Sequence, residues 1–489
     1  MRSVVILLDT LRRDMLSCYG NDWAHTPNID RLAERSVIFD NHYVGSLPCM
    51  PARRDMHTGR LNFLHTNWCG IQPFDDSICG SLREAGVHSH LATDHYHYFH
   101  AGGENYHDQF DSWDFQRGQE RDKWVGLVDK VALPETPYPT KLNPITMANR
   151  RRQRHEEEYS GPRTVMDAIR WLDENHASDD WFLQLECFDP HEPFVMPDEY
   201  LRLYGDDYDG PPWDWPAYEQ LPDLPKEAAD HMRRRYAALL TMTDRWVGRF
   251  LDTLEQHGIF DDTMIVLTTD HGTLLGERGG YWMKNYMPVF QNLARIPLLV
   301  HLPGGEGAGE HCPALTQTPD IARTLCQFHG AEAPEHCMGI SFIDSYRGTQ
   351  RHEAILYGYF GMAVNVTDGE YLYYRNPVDD DAELYAYTCF GDVRRFKSPS
   401  ANARVGFRAE GFDFTKQLGL YRVPAKPRTQ KLFEEAGGAG RHQLFRVGAG
   451  FEQVPIEDDA VEARLVGEMK RMMQALDAPA EQYQRIGLA

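Results

Sequence analysis

Three apolar runs, each delivering a carboxylate at its end, constrain this chain more than any other feature. Val4-Val-Ile-Leu-Leu8 leads into Asp9, Trp181-Phe-Leu-Gln-Leu-Glu-Cys187 into Asp189-Pro-His191, and Thr263-Met-Ile-Val-Leu-Thr-Thr269 into Asp270-His271-Gly272. Runs that stay apolar for most of their length suit strands covered on both faces, as in a parallel sheet between helical layers. Open α/β sheets bind their ligands beyond the carboxyl ends of the strands. The chemistry is therefore expected where these residues emerge. Asp9 alone also suits a helix cap, but in this company a metal ligand is the better expectation. Asp270 and His271 pair an oxygen with an imidazole, a donor set for a divalent metal.

The spacing predicts helices over 28–35, 164–175 and 226–257, the last with Tyr236, Leu239, Leu240, Met242, Trp246, Val247, Phe250 and Leu254 on its apolar side and Gly258 as its stop. From about residue 350 the texture changes to short strands with a turn at Asp368-Gly369, then a helix over 458–476. Two units follow from this: 1–345, a mixed, mostly parallel α/β domain, and 346–489, a smaller α+β domain with an antiparallel sheet. Within the first, residues 101–160 and 196–225 read as irregular insertions that wall a pocket. Trp124, Trp213 and Trp215 are the candidates there for stacking on a ring. The run Arg150-Arg-Arg152 suits a solvated face better than an anion site.

Charge narrows the function. With 50 basic and 73 acidic residues the net charge is −23, which argues against nucleic acid or an anionic membrane surface as partner. An anionic small substrate would need a local basic pocket. The nine cysteines are scattered without a CxxC pair, so neither a disulfide framework nor a zinc ribbon is suggested. The N-terminal apolar run is too short for a secretory signal and fits a first strand. No stretch approaches the ~20 apolar residues of a membrane span. A soluble, cytoplasmic protein is the expectation, and its long loops and tail at 482–489 leave room for homo-oligomers.

Ser46-Leu-Pro-Cys49-Met-Pro51-Ala-Arg53-Arg54 is the most unusual stretch, because two arginines beside a cysteine favour an anion and an ionised thiol. Cys49-x-Pro51-x-Arg53 followed by Thr58-Gly59-Arg60 resembles the signature of the type I sulfatases and the related phosphonate monoester hydrolases. The opening Asp9-Thr-Leu-Arg12 and Thr26-Pro-Asn28, the order Asp270-His271 then Lys284 then Arg295-Ile-Pro297, and Thr318-Pro-Asp320 extend the likeness over nearly the whole chain. The resemblance implies an alkaline-phosphatase-like fold and a cysteine oxidised by a maturation enzyme to formylglycine (3-oxoalanine). It implies a helix over 52–58 whose N-terminus that residue caps, and one divalent metal held by Asp9, Thr10, residue 49, Asp270 and His271. Thr10 stands where many relatives carry a second Asp. A hydroxyl is a weaker ligand for a hard cation, which leaves calcium, manganese and magnesium open.

The same resemblance implies roles for the remaining candidates. Arg53 would orient the hydrated aldehyde. His95 and His97, from a run of six histidines between His88 and His107, match a Lys-x-His pair near the sulfate, and a strand over 87–98 would point both to one face. No third ligand stands at a spacing diagnostic of zinc. His191 and Lys284 would bind the ester and serve its leaving oxygen, and His97 would take the proton when the enzyme is regenerated. The implied activity is hydrolysis of sulfate monoesters such as sulfated sugars or aryl sulfates. Thr10 and His95 also suit phosphonate monoesters or phosphodiesters. An anion-binding protein with unconverted Cys49 is the reading of another class.

Overall fold

A computed structural model describes the chain except at residues 130, 285–288, 380–381, 390–404, 426–439, 449–450 and 452. The main sheet has eight strands in the order His311–Gln317, Val37–Tyr43, Leu298–His301, Thr263–Thr268, Arg2–Leu8, Trp181–Cys187, His88–Thr93 and Ser112–Phe115. Neighbours run parallel except around Leu298–His301, which is antiparallel to both flanks. Arg2–Leu8 is central and pairs from Arg2 with Trp181 on one side and Thr263 on the other. These registers end the three runs level with one another, and the Asp9 amide donates to the Cys187 carbonyl at 3.0 Å.

Side chains alternate across this buried strand. Val4, Ile6 and Leu8 pack with helices Ser160–Asn175 and Lys226–Gln256, while Val5 and Leu7 face Ile78–Glu84 and Asp320–His329 on the other side. Both faces are thus sealed by helices, the physical reason the strands are apolar on both sides. Each such fully buried side chain contributes about 1.5–3 kcal/mol.

A second sheet of six strands runs Gln453–Pro455, Gln443–Val447, Tyr371–Arg375, Val364–Thr367, Ile355–Tyr359, Ser46–Leu47. It is antiparallel except at its last pair, where the two residues just before Pro48 lie parallel to Gly358 and Tyr359. The C-terminal sheet therefore holds the approach to Cys49. Tyr385–Thr388, Gly406–Arg408 and Leu420–Pro424 form a further three-stranded sheet; the last two lie in 390–440, where the sequence suggests loops, and much of that range lies outside the described residues.

Four expectations need correction. Ser112–Phe115 is the edge strand of the main sheet and Pro144–Arg150 a helix, so 101–160 is not wholly irregular. Trp213 and Trp215 are 3% and 1% exposed, and Trp124 is flanked by the guanidiniums of Arg152 and Arg163. These large apolar rings are core and cation-capped surface, not open stacking platforms. The tail is no free arm either: Ala480–Arg485 is helical, and Gln482, Arg485 and Ile486 are buried against the body. The strand expected over 87–98 stops at Thr93, with consequences for its histidines described below. No helix among the described residues is long and apolar enough to cross a membrane.

Candidate active site

Cys49 opens the helix Cys49–Thr58, three residues earlier than the sequence suggested, and every residue of that helix is buried. Gly59 ends it at φ +66, where a Cβ would also lie 2.3 Å from Cys337 Sγ. Asp55 ties the helix to the strand before it, accepting from Ser46 N (2.5 Å), Ser46 Oγ (2.9 Å) and Asn62 N (3.2 Å). Residue 49 is thus clamped from both sides.

The two arginines part company. Arg54 turns away to a bidentate pair with Asp75. Arg53, 1% exposed, makes ion pairs with Asp9 (2.9 Å), Asp270 (2.7 Å) and Glu186 (2.6 Å) and donates to the Cys49 carbonyl. Its charge is spent on carboxylates and not on the thiol. Burial, with Asp9 and Asp270 opposing Lys284 and Arg53, pushes the Cys49 thiol well above its ordinary value. The ionised thiol expected from neighbouring arginines is therefore not what this site favours.

Asp9, Cys49, Asp270 and His271 present ligand atoms within 4.8 Å of one another, all buried. The His271 Nδ1 lies 2.9 Å from the Gly272 carbonyl, which can only accept, so Nδ1 carries the proton. Its Nε2 lone pair then faces Cys49 Sγ at 3.2 Å, the tautomer a metal needs. Two carboxylates and this imidazole fit a hard or borderline divalent cation. Burial raises the Asp9 carboxyl, but Arg53, Lys284 and His271 together hold it below the usual range.

Thr10 is not only a ligand candidate. It sits at φ +66, a region that costs a β-branched residue about 1–3 kcal/mol. Its amide donates to Asp270 Oδ1 at 3.1 Å, its hydroxyl to Asp9 Oδ1 at 2.6 Å, and its carbonyl accepts from Tyr236 Oη at 2.9 Å. Tyr236 also accepts from the Arg12 amide at 2.9 Å. Tyr236→Phe is expected to cost about 1–3 kcal/mol by stranding both groups. An unchanged melting temperature in calorimetry would show that the turn does not depend on this hydroxyl.

Lys284 follows a hairpin of Leu274–Gly276 and Tyr281–Met283. Its Nζ is 3.3 Å from Cys49 Sγ, 3.3 Å from His271 Nε2 and 3.4 Å from Thr10 Oγ1. Burial would lower its pKa, but Cys49, Asp9, Glu192 and Asp270 raise it above its ordinary value, so it stays an ammonium.

His95 and His97 do not lie on a strand, yet their rings still meet, with centroids 5.1 Å apart. Beyond Thr93 the chain turns, and residues 96–99 form a 3₁₀ turn. His95 is fully buried with Nδ1 3.8 Å from Asp9 Oδ2, whereas His97 turns to Glu120 at 3.6 Å and sets its ring edge-on to Trp68. His95 Nδ1 is buried without a hydrogen-bond partner. His191 Nδ1 is 2.5 Å from the Glu192 carbonyl, which fixes Nδ1–H and leaves Nε2 basic. Burial pulls both His95 and His191 well below their ordinary values.

Sequence reasoning missed several partners. Glu186, which takes Arg53 and the Tyr98 hydroxyl, was visible as a charge inside an apolar strand. Glu192 was visible only as the neighbour of His191. Glu120, from the 101–160 segment, carried no local signal.

Residues 3–331 match the family model described as Sulfatase. The chain belongs to the sulfatase family. Among curated relatives of this sulfatase chain, choline-sulfatase of Rhizobium meliloti (strain 1021) is 27% identical over 417 residues, covering 76% of this chain and 77% of that one. Solved structures agree on the alkaline-phosphatase-like fold. Phosphonate monoester hydrolase from Silicibacter pomeroyi superposes with TM-score 0.64 at 19% identity, over 99% of this chain and 96% of that one. A protein solved in complex with its substrate D-glucosamine-2-N,6-O-disulfate gives TM-score 0.67 at 15% identity, over 98% and 99%.

Proposed function

We propose that this sulfatase-family chain hydrolyses sulfate monoesters, with Cys49 converted to formylglycine by a maturation enzyme as the nucleophile. The observation that carries this reading is the buried set Asp9, Cys49, Asp270 and His271, with Lys284 3.3 Å from Sγ. A thiol held protonated by burial is a poor nucleophile, so the position makes chemical sense as a precursor.

Asp9, Asp270, His271 and residue 49, with the Thr10 hydroxyl beside them, would hold one divalent cation, calcium, manganese or magnesium. When bound, it would supply charge neutralisation and an acidified nucleophile. The chain's own residues do the rest. Arg53 keeps the two carboxylates ionised and oriented. Lys284, a permanent ammonium at the cluster, binds the ester's anionic oxygens and stabilises charge on the leaving oxygen. His191 and His95 present neutral rings to the anion. His191, with Nδ1–H fixed, receives and returns a proton only at Nε2. His97, beside Glu120, is the proton acceptor for regeneration. Segments 101–160 and 196–225 supply Glu120, Lys141 and Tyr218 to the surroundings of His191, consistent with pocket walls.

Phosphonate monoester or phosphodiester hydrolysis is the second reading, favoured by Thr10, which adds no charge beside Asp9, and by His95, neutral where relatives carry Lys. Rates on 4-nitrophenyl sulfate and phenyl phosphonate esters, measured on one preparation, separate the two. Chelation followed by gel filtration is expected to lower either rate at least about 100-fold, with recovery on adding Mn²⁺ or Ca²⁺. Full activity in metal-free protein would refute the metal assignment. An anion binder without turnover would show intact Cys49 by mass spectrometry.

A further inference from the structure

Next to the nucleophile lies a pair of buried carboxylates that the hydrolytic machinery does not use. Glu192 is fully buried and Glu120 nearly so. Glu192 Oε1 accepts from Tyr218 Oη, and Glu120 Oε2 accepts from Tyr96 Oη at 2.6 Å. Glu192 Oε2 is buried with no hydrogen-bond partner at all. One oxygen of each residue and a ring nitrogen of His191 lie within 4.8 Å of one another.

No lysine or arginine among the described residues forms an ion pair with either carboxylate; their near partners are His97 and His191 at 3.4 to 3.8 Å, and the low pKa of His191 leaves that ring neutral. Lys141 acts on both only as a nearby charge and forms no ion pair with either, its Nζ sitting over the Tyr218 ring at 3.1 Å. Burial raises both carboxyls above the usual range even with the Lys141 and Lys284 charges nearby, Glu120 to about 7; two buried carboxylates in one place with no ion-paired cation are placed for a positive charge that arrives with a ligand. The pair adjoins the metal-ligand cluster through His191, whose ring packs on Phe188 at 4.3 Å, and Phe188 stacks at 5.1 Å on His95, which lies 3.8 Å from Asp9.

We propose that the leaving group of the ester carries a protonated amine, seated between Glu120 and Glu192; this rests on the reading of Cys49 as the hydrolytic centre. An ammonium donating to two oxygens at about 2.8 Å spans about 4.6 Å between them, compatible with two carboxylate oxygens within 4.8 Å of each other. The rings of Tyr96, Phe188 and Tyr218 around it suit an organic cation. A metal ion fits worse: His191 Nδ1, the ring atom turned to both carboxylates, is committed to its own backbone carbonyl. That would leave the ion two carboxylate oxygens in an aromatic setting.

The test uses matched pairs on full-length protein with converted residue 49: 2-aminoethyl sulfate against propyl sulfate, and glucosamine 6-sulfate against glucose 6-sulfate. The ammonium member is expected to have kcat/KM at least about tenfold higher in one pair or both. Glu120→Gln and Glu192→Gln should each bring that ratio toward one. Should a variant fail to fold, the wild-type ratio still decides, as does stronger inhibition of 4-nitrophenyl sulfate turnover by ethanolamine than by 1-propanol. Ratios near one in both pairs, with 4-nitrophenyl sulfate turned over normally, overturn the cation site and leave the hydrolase reading standing. If no ester is turned over, that reading fails instead, and calorimetry of ethanolamine on wild type and Glu192→Gln still reads the pocket: heat lost in the variant supports the site, no heat in wild type overturns it. A second metal equivalent lost in Glu192→Gln also overturns it.

Discussion

Cys49→Ala is expected to lower kcat/KM on 4-nitrophenyl sulfate by at least about 10⁴-fold, as removal of a covalent nucleophile does. The fold should survive, because residue 49 is the first residue of its helix, alanine suits that position, and only a sulfur is removed from a well-clamped site. Cys49→Ser sharpens the result. Serine keeps a hydroxyl at the same place, so if a simple nucleophile sufficed, it would retain activity. Loss of activity in both variants, together with a wild-type peptide lighter by about 18 Da than the unmodified sequence, supports the aldehyde. Full activity in Cys49→Ala would remove the proposed mechanism.

Arg53→Met is expected to be the most destabilising single change in the site. The side chain is 1% exposed and is the shared partner of Asp9, Asp270 and Glu186. Removing it leaves three buried carboxylates facing one another, with Lys284 too far from Asp9, at 4.0 Å, to replace a bidentate fork. Loss of one partner of a buried ion pair costs about 3–5 kcal/mol, so a large drop in melting temperature should appear in scanning calorimetry. Added Mn²⁺ should recover part of the drop, because a cation between Asp9 and Asp270 restores some of the missing charge. Arg53→Lys is no rescue, since an ammonium cannot reach three carboxylates in a plane. A melting temperature equal to wild type would mean the carboxylates do not depend on Arg53.

How much of this was legible in advance follows from how local each signal is. The strands Trp181–Cys187 and Thr263–Thr268 and the helix Lys226–Gln256 were readable to within a residue or so, because continuous apolarity and a 3.6-residue period are printed in consecutive residues. Asp9, Asp270 and His271 could be singled out as candidates because a strand end is a local event. The strand carrying His95 and His97 was drawn too long because a period-two reading ran past Thr93, where the chain turns. The stacking tryptophans were misplaced for a related reason: a Trp-rich loop looks the same in sequence whether its rings face solvent or core. Glu120 had no local mark whatever, because its meaning depends on His191 and Glu192, about seventy residues further along.

The sequence by itself determined the class of sheet, the strand ends that carry the candidate ligands, and the cysteine signature around residue 49. Only the tertiary structure decided which charges meet. It sent Arg54 to Asp75 and Arg53 to three carboxylates, and so turned an apparently activated cysteine into a protonated, clamped one. It also brought Glu120 against Glu192 without an ion-pairing lysine or arginine among the described residues. Periodicity and strand termini are carried by neighbouring residues, whereas charge compensation is set by distances of a few ångströms between groups far apart in the chain, which no stretch of sequence records.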